Sequence, residues 1–458
     1  MFSRDKYHGE AYLADLEDYA PSRTSDSLTT HSSPLSCEER GTKSTSCEKD
    51  LPAIDGGIQA WLFLTASAVL EALVWGWAGA FGIFQDYYSV HEPFNGSKNI
   101  AVVGTCAMGI AYLFAPLVIV FMILVPRLAR WASTIGIVIM CVSLVLGSFA
   151  QNVTHLILTQ GVAFGVGGCL AYTPSILFMP EWFVKKNGLA FGIVWAGSGI
   201  SGVMFPPIIE WLLGQYGFED TLRISAAALF LLSAPFLYYH RPRLPVSTDV
   251  RHDRLDFRFL YNKVYLIYQL GNTVEALGYF LPTIYLPMYA RSLGANVFLS
   301  SLTVAIVNLT SVFASVLAGF LCDRYHVTTV ILISTVGAVV SVFFGWGFAV
   351  TMPALYVFCA AYGLLAGGFS STWSGMANEI QKANPNADVA VIFPFMEFGR
   401  GIGNIASGPL SEALLRADNW RGHAWGTYGT GYGVLVVCTG ATAVVGGVSV
   451  VARQLDWI

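Results

Sequence analysis

From Ile58 to its end, the chain alternates between long apolar segments and short polar breaks. Most of the apolar segments are close to the ~20 residues that an α-helix needs to cross the bilayer, so the pattern predicts twelve membrane spans. These spans 1 to 12 cover residues 58–84, 99–125, 131–150, 152–180, 187–209, 221–239, 262–289, 294–321, 327–352, 353–378, 389–411 and 424–450. Residues 1–57 are polar and acidic, without the basic start and apolar stretch of a signal peptide. We expect them to form a disordered cytosolic tail.

The twelve segments form two similar groups of six, separated by a polar loop at 241–261. Three short motifs return in the same order, at offsets of 204, 200 and 202 residues. They are Glu71-Ala72-Leu73 and Glu275-Ala276-Leu277, Gly167-Gly168 and Gly367-Gly368, and Gly197-Ser198-Gly199-Ile200 and Gly399-Arg400-Gly401-Ile402. The repeat predicts an all-α membrane protein of two parallel six-helix halves, 58–240 and 262–458, an arrangement that resembles the major facilitator fold.

Composition agrees with a membrane protein. Apolar residues make up 55% of the chain and charged residues 12%, about half the share usual in soluble proteins, and the mean hydropathy is +0.58. Residues 1–55 carry 6 basic and 11 acidic residues, whereas the remainder is nearly neutral, so the basic surface of a nucleic-acid-binding protein is missing. The eight cysteines form no CxxC motif and no cluster, and we expect them to pack as small apolar residues.

The Lys and Arg residues near the span ends predict the orientation. If the N-terminal tail is cytosolic, thirteen of them lie on the inner side and five on the outer side. We therefore expect a multi-pass protein, in the plasma membrane, with both termini in the cytosol. The sequon Asn95-Gly96-Ser97 then lies outside and is a predicted glycosylation site. The sequon at Asn152 is too close to the bilayer for use, and that at Asn308 lies inside span 8.

Four ionisable residues lie near the middle of spans, where a charge costs at least ~2.5–3.5 kcal/mol. Glu71 and Glu275 occupy matching places in the two halves, so we expect them to face each other across a central cavity. They could couple transport to protons, or each could stay protonated and hydrogen-bonded to a neighbouring helix. Arg400 has the planar fork of donors that suits a substrate carboxylate. Glu397, three residues earlier on the same helix face, could instead keep Arg400 occupied as an internal ion pair.

Aromatic residues follow spans 1 and 7, and Trp75 and Tyr279 are the candidate substrate contacts among them. Such residues more often serve packing or the interfacial belts, but any that face a cavity would favour a flat, largely apolar substrate. The sequence has no phosphate-cradling loop, no zinc-protease helix and no acidic metal cluster, so we expect no enzymatic activity, no cofactor and no metal. The expected partners are a small organic substrate, protons and the lipid bilayer. The Gly-rich seams leave the oligomeric state open.

Three segments resemble monocarboxylate-transporter-like facilitators. Residues 181–192 read EWFVKKNGLAFG and precede Ala196-Gly197-Ser198-Gly199, which is similar to the loop-and-helix signature of that family. Residues 55–61, DGGIQAW, resemble its other signature in the form that fungal members use, and residues 281–290, LPTIYLPMYA, also resemble fungal members. The resemblance covers residues 55 to about 450. It implies twelve helices with both ends inside, and movement of a small organic molecule by alternating access.

The chain departs from that family's carriers of simple monocarboxylates. Residues 77–81, WAGAF, lack the Lys of the first helix, and residues 308–315, NLTSVFAS, lack the acid and the Arg of the eighth. The general facilitator signature is degraded at 125–130 but survives as Gly319-x-x-x-Asp323-Arg324. We therefore expect a secondary transporter that moves a larger, less charged fungal metabolite outward. The alternatives are a proton-coupled importer of a monocarboxylate or vitamin-like acid, in which Arg400 replaces the missing cations, and a substrate sensor that transports nothing.

Overall fold

The fold is that of a computed structural model, which describes residues 51–97, 99–244, 255–417, 422 and 424–458. Most of the expected N-terminal tail, part of the central loop, and Cys37 and Cys47 therefore lie outside the described residues. Within these ranges the chain forms helices and turns and no strand, which confirms the all-α prediction. Residues 52–458 form one compact unit.

The described residues form sixteen α-helices, α1 to α16. In chain order these are Ile58–Gly79, Phe81–Val90, Ile100–Leu124, Pro126–Ala129, Ala132–Gly147, Val153–Leu156, Phe164–Trp182, Asn187–Leu237, Lys263–Ser292, Val297–Cys322, Val327–Val340, Met352–Ala366, Trp373–Ala383, Val389–Ala417, Gly433–Gly446 and Val448–Gln454. Several are extended by π-helical turns at Ile157–Ala163 and Ser341–Gly345, or by 3₁₀ turns at Arg258–Tyr261, Trp346–Phe348, Phe369–Thr372 and Gly426–Gly429.

Eight helical stretches are long and apolar enough to cross a membrane. One of them, α8, has 51 residues and would be about 77 Å long if it were straight. Gly217 interrupts it with a φ of 72°, which turns the chain back and makes two spans. Helix α5 is apolar but shorter, and α9 and α14 are long enough but more polar. With these helices, each of the twelve predicted spans coincides with a helical segment.

One close helix pair in each of the two predicted halves shows a similar glycine contact. Helix α8 lies on α1 in the first half, where a Cβ on Gly197 would come within 2.4 Å of the Ala68 carbonyl oxygen. Helix α14 lies on α9 in the second half, where a Cβ on Gly403 would come within 2.4 Å of the Thr273 carbonyl oxygen. Since glycine has no Cβ, the backbones can approach this closely, and small residues serve the same purpose in other membrane helices.

The halves meet along α8 and α10 and along α3 and α14. At one end of the bundle, the Asp323 carboxylate after α10 accepts backbone N–H bonds from Gly188 and from the next residue, at 2.7 and 2.8 Å. This carboxylate lies at the N-terminus of α8, where the helix dipole favours negative charge. Nearby, Phe191 of α8 stacks on Phe393 of α14 at a centroid distance of 4.4 Å. These contacts hold the two halves together at this end.

His240, after α8, lies at that same end and braces the first half; we call it the His240 end. Its buried ring contacts the hydroxyls of Ser133 and Ser175 at 2.9 Å each and stacks on Phe63. The Ser133 hydroxyl donates its proton to the Ala171 carbonyl, so this hydroxyl must accept a hydrogen bond from Nδ1 of His240. Nε2 of the neutral ring is then an acceptor, and the Ser175 hydroxyl donates to it. A neutral imidazole satisfies both bonds, and burial lowers the pKa of His240 to about 3.

Acidification is expected to destabilise the protein through His240. Because the pKa in the folded state lies below the ordinary 6.5, the unfolded state takes up the proton first. The stabilisation is complete above pH 6.5 and is lost as the pH falls towards 3. Between pH 7 and pH 5, this group lowers the free energy of unfolding by about 2 kcal/mol. Thermal unfolding of the purified protein at both pH values, followed by Trp fluorescence, measures the loss.

The His240→Phe variant should lose this part of the pH dependence. The exposed His155 supplies a matched control, because His155→Gln should keep the wild-type response. An unchanged response in His240→Phe would contradict the prediction.

Candidate functional site

A buried ion pair lies near the middle of the second half. Nη1 of Arg400 on α14 donates to Oε2 of Glu275 on α9 at 2.7 Å, and the two side chains are only 4% and 8% exposed. A guanidinium in hydrocarbon needs such a partner, because an unpaired charge there is costly. The pair ties α9 to α14 at mid-membrane depth.

Aromatic rings surround the Arg400 guanidinium. Its central carbon lies 4.8 Å from the ring centroid of Tyr279, 5.5 Å from that of Phe280 and 5.9 Å from that of Trp373. A cation within about 6 Å of a ring face is attracted by the ring quadrupole, most strongly when water is excluded. Tyr362 stacks on Tyr279 and donates its hydroxyl to the Tyr279 carbonyl at 3.1 Å. We call Arg400, Glu275 and these rings the arginine cluster.

A second group, the acidic cluster, lies where α1, α3 and α7 approach α14. The indole ring of Trp75 lies 4.4 Å from the Tyr112 ring and 5.6 Å from the Tyr172 ring, centroid to centroid. The Tyr172 hydroxyl lies 3.0 Å from Oε2 of Glu397, so this contact crosses between the halves. Glu71, one turn before Trp75, interacts electrostatically with Glu397.

The acidic cluster contains polar atoms that have no partner among the described residues. They are Oε1 of Glu71, Oε1 of Glu397 and Nε1 of Trp75, all buried. A buried polar atom without a hydrogen bond costs free energy, and most such atoms in proteins are satisfied. Two acceptors and one donor without partners in one cluster are what a small polar ligand would satisfy.

Hydrogen bonding also bears on the protonation of Glu397. The Tyr172 hydroxyl lies within reach of both Oε2 of Glu397 and the Ala111 carbonyl oxygen, at 3.0 and 3.1 Å, but it carries one proton. If that proton goes to Ala111, which can only accept, then Glu397 must donate to Tyr172 and must be protonated. A protonated Glu397 satisfies both contacts, whereas an ionised one leaves them competing for one proton.

Tyr112 joins the two clusters. It packs against α14, where a Cβ on Gly401 would lie 2.5 Å from the Tyr112 Cβ, and it lies near Arg400, Glu397 and Glu71. Tyr112 and Tyr279 are only partly buried, unlike the ionisable side chains around them. Both tyrosine side chains therefore keep some accessible surface.

In the structure, the six predicted substrate and coupling residues lie in these two clusters, but their partners differ from the predicted ones. Glu275, Arg400 and Tyr279 lie in one, and Glu71, Trp75 and Glu397 in the other. The expected pair of Arg400 with Glu397 is wrong, because Arg400 binds Glu275. Residues three apart on a helix point about 60° apart, enough for Glu397 to reach α7 while Arg400 reaches α9. The facing of Glu71 and Glu275 across a central cavity stays a prediction.

Tyr112, Tyr172, Tyr362 and Trp373 were missed by the sequence interpretation. Aromatic residues are 14% of the chain, and no spacing marks these four. Other aromatic residues of span 1 serve packing, as expected for most of them: Trp77 packs on Phe84 and Phe164.

Among the described residues, no group of three or more His, Cys, Asp or Glu side chains could hold a metal ion. Asn95 lies in an exposed turn between α2 and α3.

The chain is similar to a known protein family and to several known transporters. The model of the Major Facilitator Superfamily matches residues 60–408, which include every residue of both clusters. The chain is 28% identical to the MFS-type transporter pynF of Aspergillus niger over 377 residues, 81% of this chain and 86% of the relative. It is also 28% identical to the Agnestins efflux protein AgnL12 of Paecilomyces divaricatus, over 78% and 82% of the two chains, and to the Aspyridones efflux protein apdF of Emericella nidulans, over 69% and 64%. The narrower monocarboxylate-transporter-like resemblance stays a prediction.

Removal of one partner from the Glu275–Arg400 pair should cost much more than removal of both. Either Glu275→Gln or Arg400→Gln leaves a buried unpaired charge, and we expect each to lower the free energy of unfolding by about 3–5 kcal/mol. The double variant should recover a large part of that loss. Thermal unfolding of the four proteins gives the coupling energy as a double-mutant cycle.

The exposed pair of Glu412 and Arg416, on the same helix, is the matched control. Its single and double variants should stay within about 1 kcal/mol of the wild type. Strictly additive losses at Glu275 and Arg400 would show that the two side chains act independently.

Proposed function

The chain belongs to the Major Facilitator Superfamily, and we propose that it is a secondary transporter that exports a flat, largely apolar fungal metabolite by alternating access. The proposal depends above all on the two aromatic-lined clusters midway along the spans, one of which joins the two halves. Two relatives whose names describe efflux of agnestins and of aspyridones support the outward direction.

We propose Trp75, Tyr112 and Tyr279 as the substrate-contacting residues. Their rings provide flat apolar surfaces, and the unpartnered Nε1 of Trp75 and Oε1 of Glu71 offer one donor and one acceptor. Arg400 is already neutralised by Glu275, so the site has no unpaired cation that calls for an anionic substrate. The pair therefore weighs against an importer of simple monocarboxylates.

We propose Glu397 and Glu71 as the proton site that drives export. Two buried carboxyls that share one region cannot both be ionised cheaply, and the Tyr172 contacts favour a proton on Glu397. Loss of this proton would put a negative charge beside the Tyr172 bond that joins the halves. Proton entry from outside and release into the cytosol would thereby drive the metabolite in the opposite direction.

Inverted plasma-membrane vesicles from yeast that express the chain test both parts of the proposal. With an acidic interior, they should accumulate at least one compound from an extract of fungal secondary metabolites, measured by mass spectrometry against vesicles without the chain. Glu397→Gln keeps the hydrogen bonds of the protonated acid but cannot release a proton. This variant should still exchange the compound across the membrane but should lose accumulation against its gradient.

Glu412→Gln, which changes an exposed acid on the same helix, should behave as the wild type. No enriched compound with the wild-type chain would contradict export. Gradient-driven accumulation by Glu397→Gln would contradict the coupling role while leaving export intact.

We also propose that the protein lies in the plasma membrane with both termini in the cytosol, and that Asn95 is glycosylated on the outside. The exposed turn around Asn95 leaves room for the glycan. Expression in yeast should give a protein whose electrophoretic mobility increases on treatment with an endoglycosidase. Asn95→Gln should abolish this shift, and Asn308→Gln, inside α10, should not. A shift that persists in Asn95→Gln would contradict the assignment.

A further inference from the structure

A cavity of about 270 Å³ opens at the His240 end of the first half, away from both clusters. It lies between the segment that leads into α1, the short helix α4, the end of α7 and the residues after α8. Three arginines dominate its wall, together with Pro52, Gln59 and Trp182. The arginines, Arg130, Arg241 and Arg243, come from separate parts of the chain, so the fold gathers them.

Two of the three arginines are held by further contacts. Nε of Arg243 donates to the Pro52 carbonyl at 2.8 Å, and a guanidinium has four more N–H groups to offer. The Arg241 guanidinium lies 5.3 Å from the centroid of the Tyr238 ring, and its backbone carbonyl accepts from Nε1 of Trp182. Arg130 is exposed at the end of α4. The wall is therefore partly preorganised for an anion.

The acidic groups near the cavity bind backbone groups. Glu181 accepts from the backbone N–H groups of Arg243 and of the next residue. Asp55 accepts from three backbone N–H groups at 184–186, and although burial opposes ionisation, these bonds lower the pKa of Asp55. Among the described residues, three arginines against the two carboxylates Glu181 and Asp55 leave the cavity with a net positive charge.

Aromatic side chains place the cavity at the depth of the lipid head groups. Trp61, Trp131, Tyr238 and Tyr239 are exposed on the helix ends around it. Exposed Trp and Tyr residues of membrane proteins concentrate at the membrane–water interface. The cytosolic leaflet also carries the anionic lipids of a cell, which attract basic residues close to the surface. A guanidinium fork matches the oxygens of a phosphate.

We propose that this cavity binds the phosphate group of an anionic phospholipid from the cytosolic leaflet. The bound phosphate would bridge the end of α4 and the segment after α8, and so stabilise the first half. This proposal rests on the membrane orientation proposed above, but it does not depend on the proposed substrate or on the proposed proton coupling.

Native mass spectrometry of the purified full chain, with added phosphatidic acid or phosphatidylcholine, tests the site. The variant Arg130→Gln/Arg241→Gln removes two cations but keeps the bond of Arg243 to Pro52. We expect its affinity for phosphatidic acid to fall about thirtyfold, as the loss of two arginines near a lipid surface predicts. Arg127→Gln, in the same short helix but outside the cavity wall, should bind as the wild type. If the double variant aggregates, Arg130→Gln alone should bind about fivefold more weakly.

Two results would overturn the proposal: equal binding of the two lipids by the wild type, and unchanged phosphatidic acid binding by the arginine variants. A third arm uses inorganic phosphate and thermal unfolding. Phosphate alone could stabilise the wild type as well as phosphatidic acid does, with the effect lost in the arginine variants. The cavity would then bind free phosphate, and the proposal that its ligand is a lipid would be overturned.

Discussion

The high cost of charge in hydrocarbon is the constraint on which this structure depends. Arg400 is the mid-membrane cation of the described residues, and it is stable there because Glu275 neutralises it and three aromatic rings surround it. The ion pair fixes α9 against α14. These same two helices are more polar than the eight stretches that are most clearly apolar enough to cross a membrane. The buried ion pair contributes to that polarity.

Much of the fold follows from the sequence, because the bilayer restricts what a backbone can do. Segment length predicts the spans, since each helix must satisfy its own hydrogen bonds across the same thickness. The repeated glycines predict two similar halves, and in the structure Gly197 lies against α1 as its counterpart Gly399 lies against α9. Span lengths and glycine positions can be read from one sequence because each depends on residues close together in the chain.

The site is less predictable because its contacts join residues far apart in the chain. The sequence singles out Glu71, Glu275, Glu397 and Arg400 by their cost, but it cannot rank their partners. Glu275 lies 125 positions from Arg400, and the nearer Glu397 turns towards the other half. Tyr172 carries no local signal, because one aromatic residue in an apolar helix resembles another. Only the packing of α7 against α14 gives it a role.

The hydrogen bond between Tyr172 and Glu397 has a mechanical consequence. It joins the two halves, so the alternating access proposed above must break it whenever the halves separate at that depth. Under the proposed coupling, the proton of Glu397 and the separation of the halves are therefore linked through a single hydroxyl group.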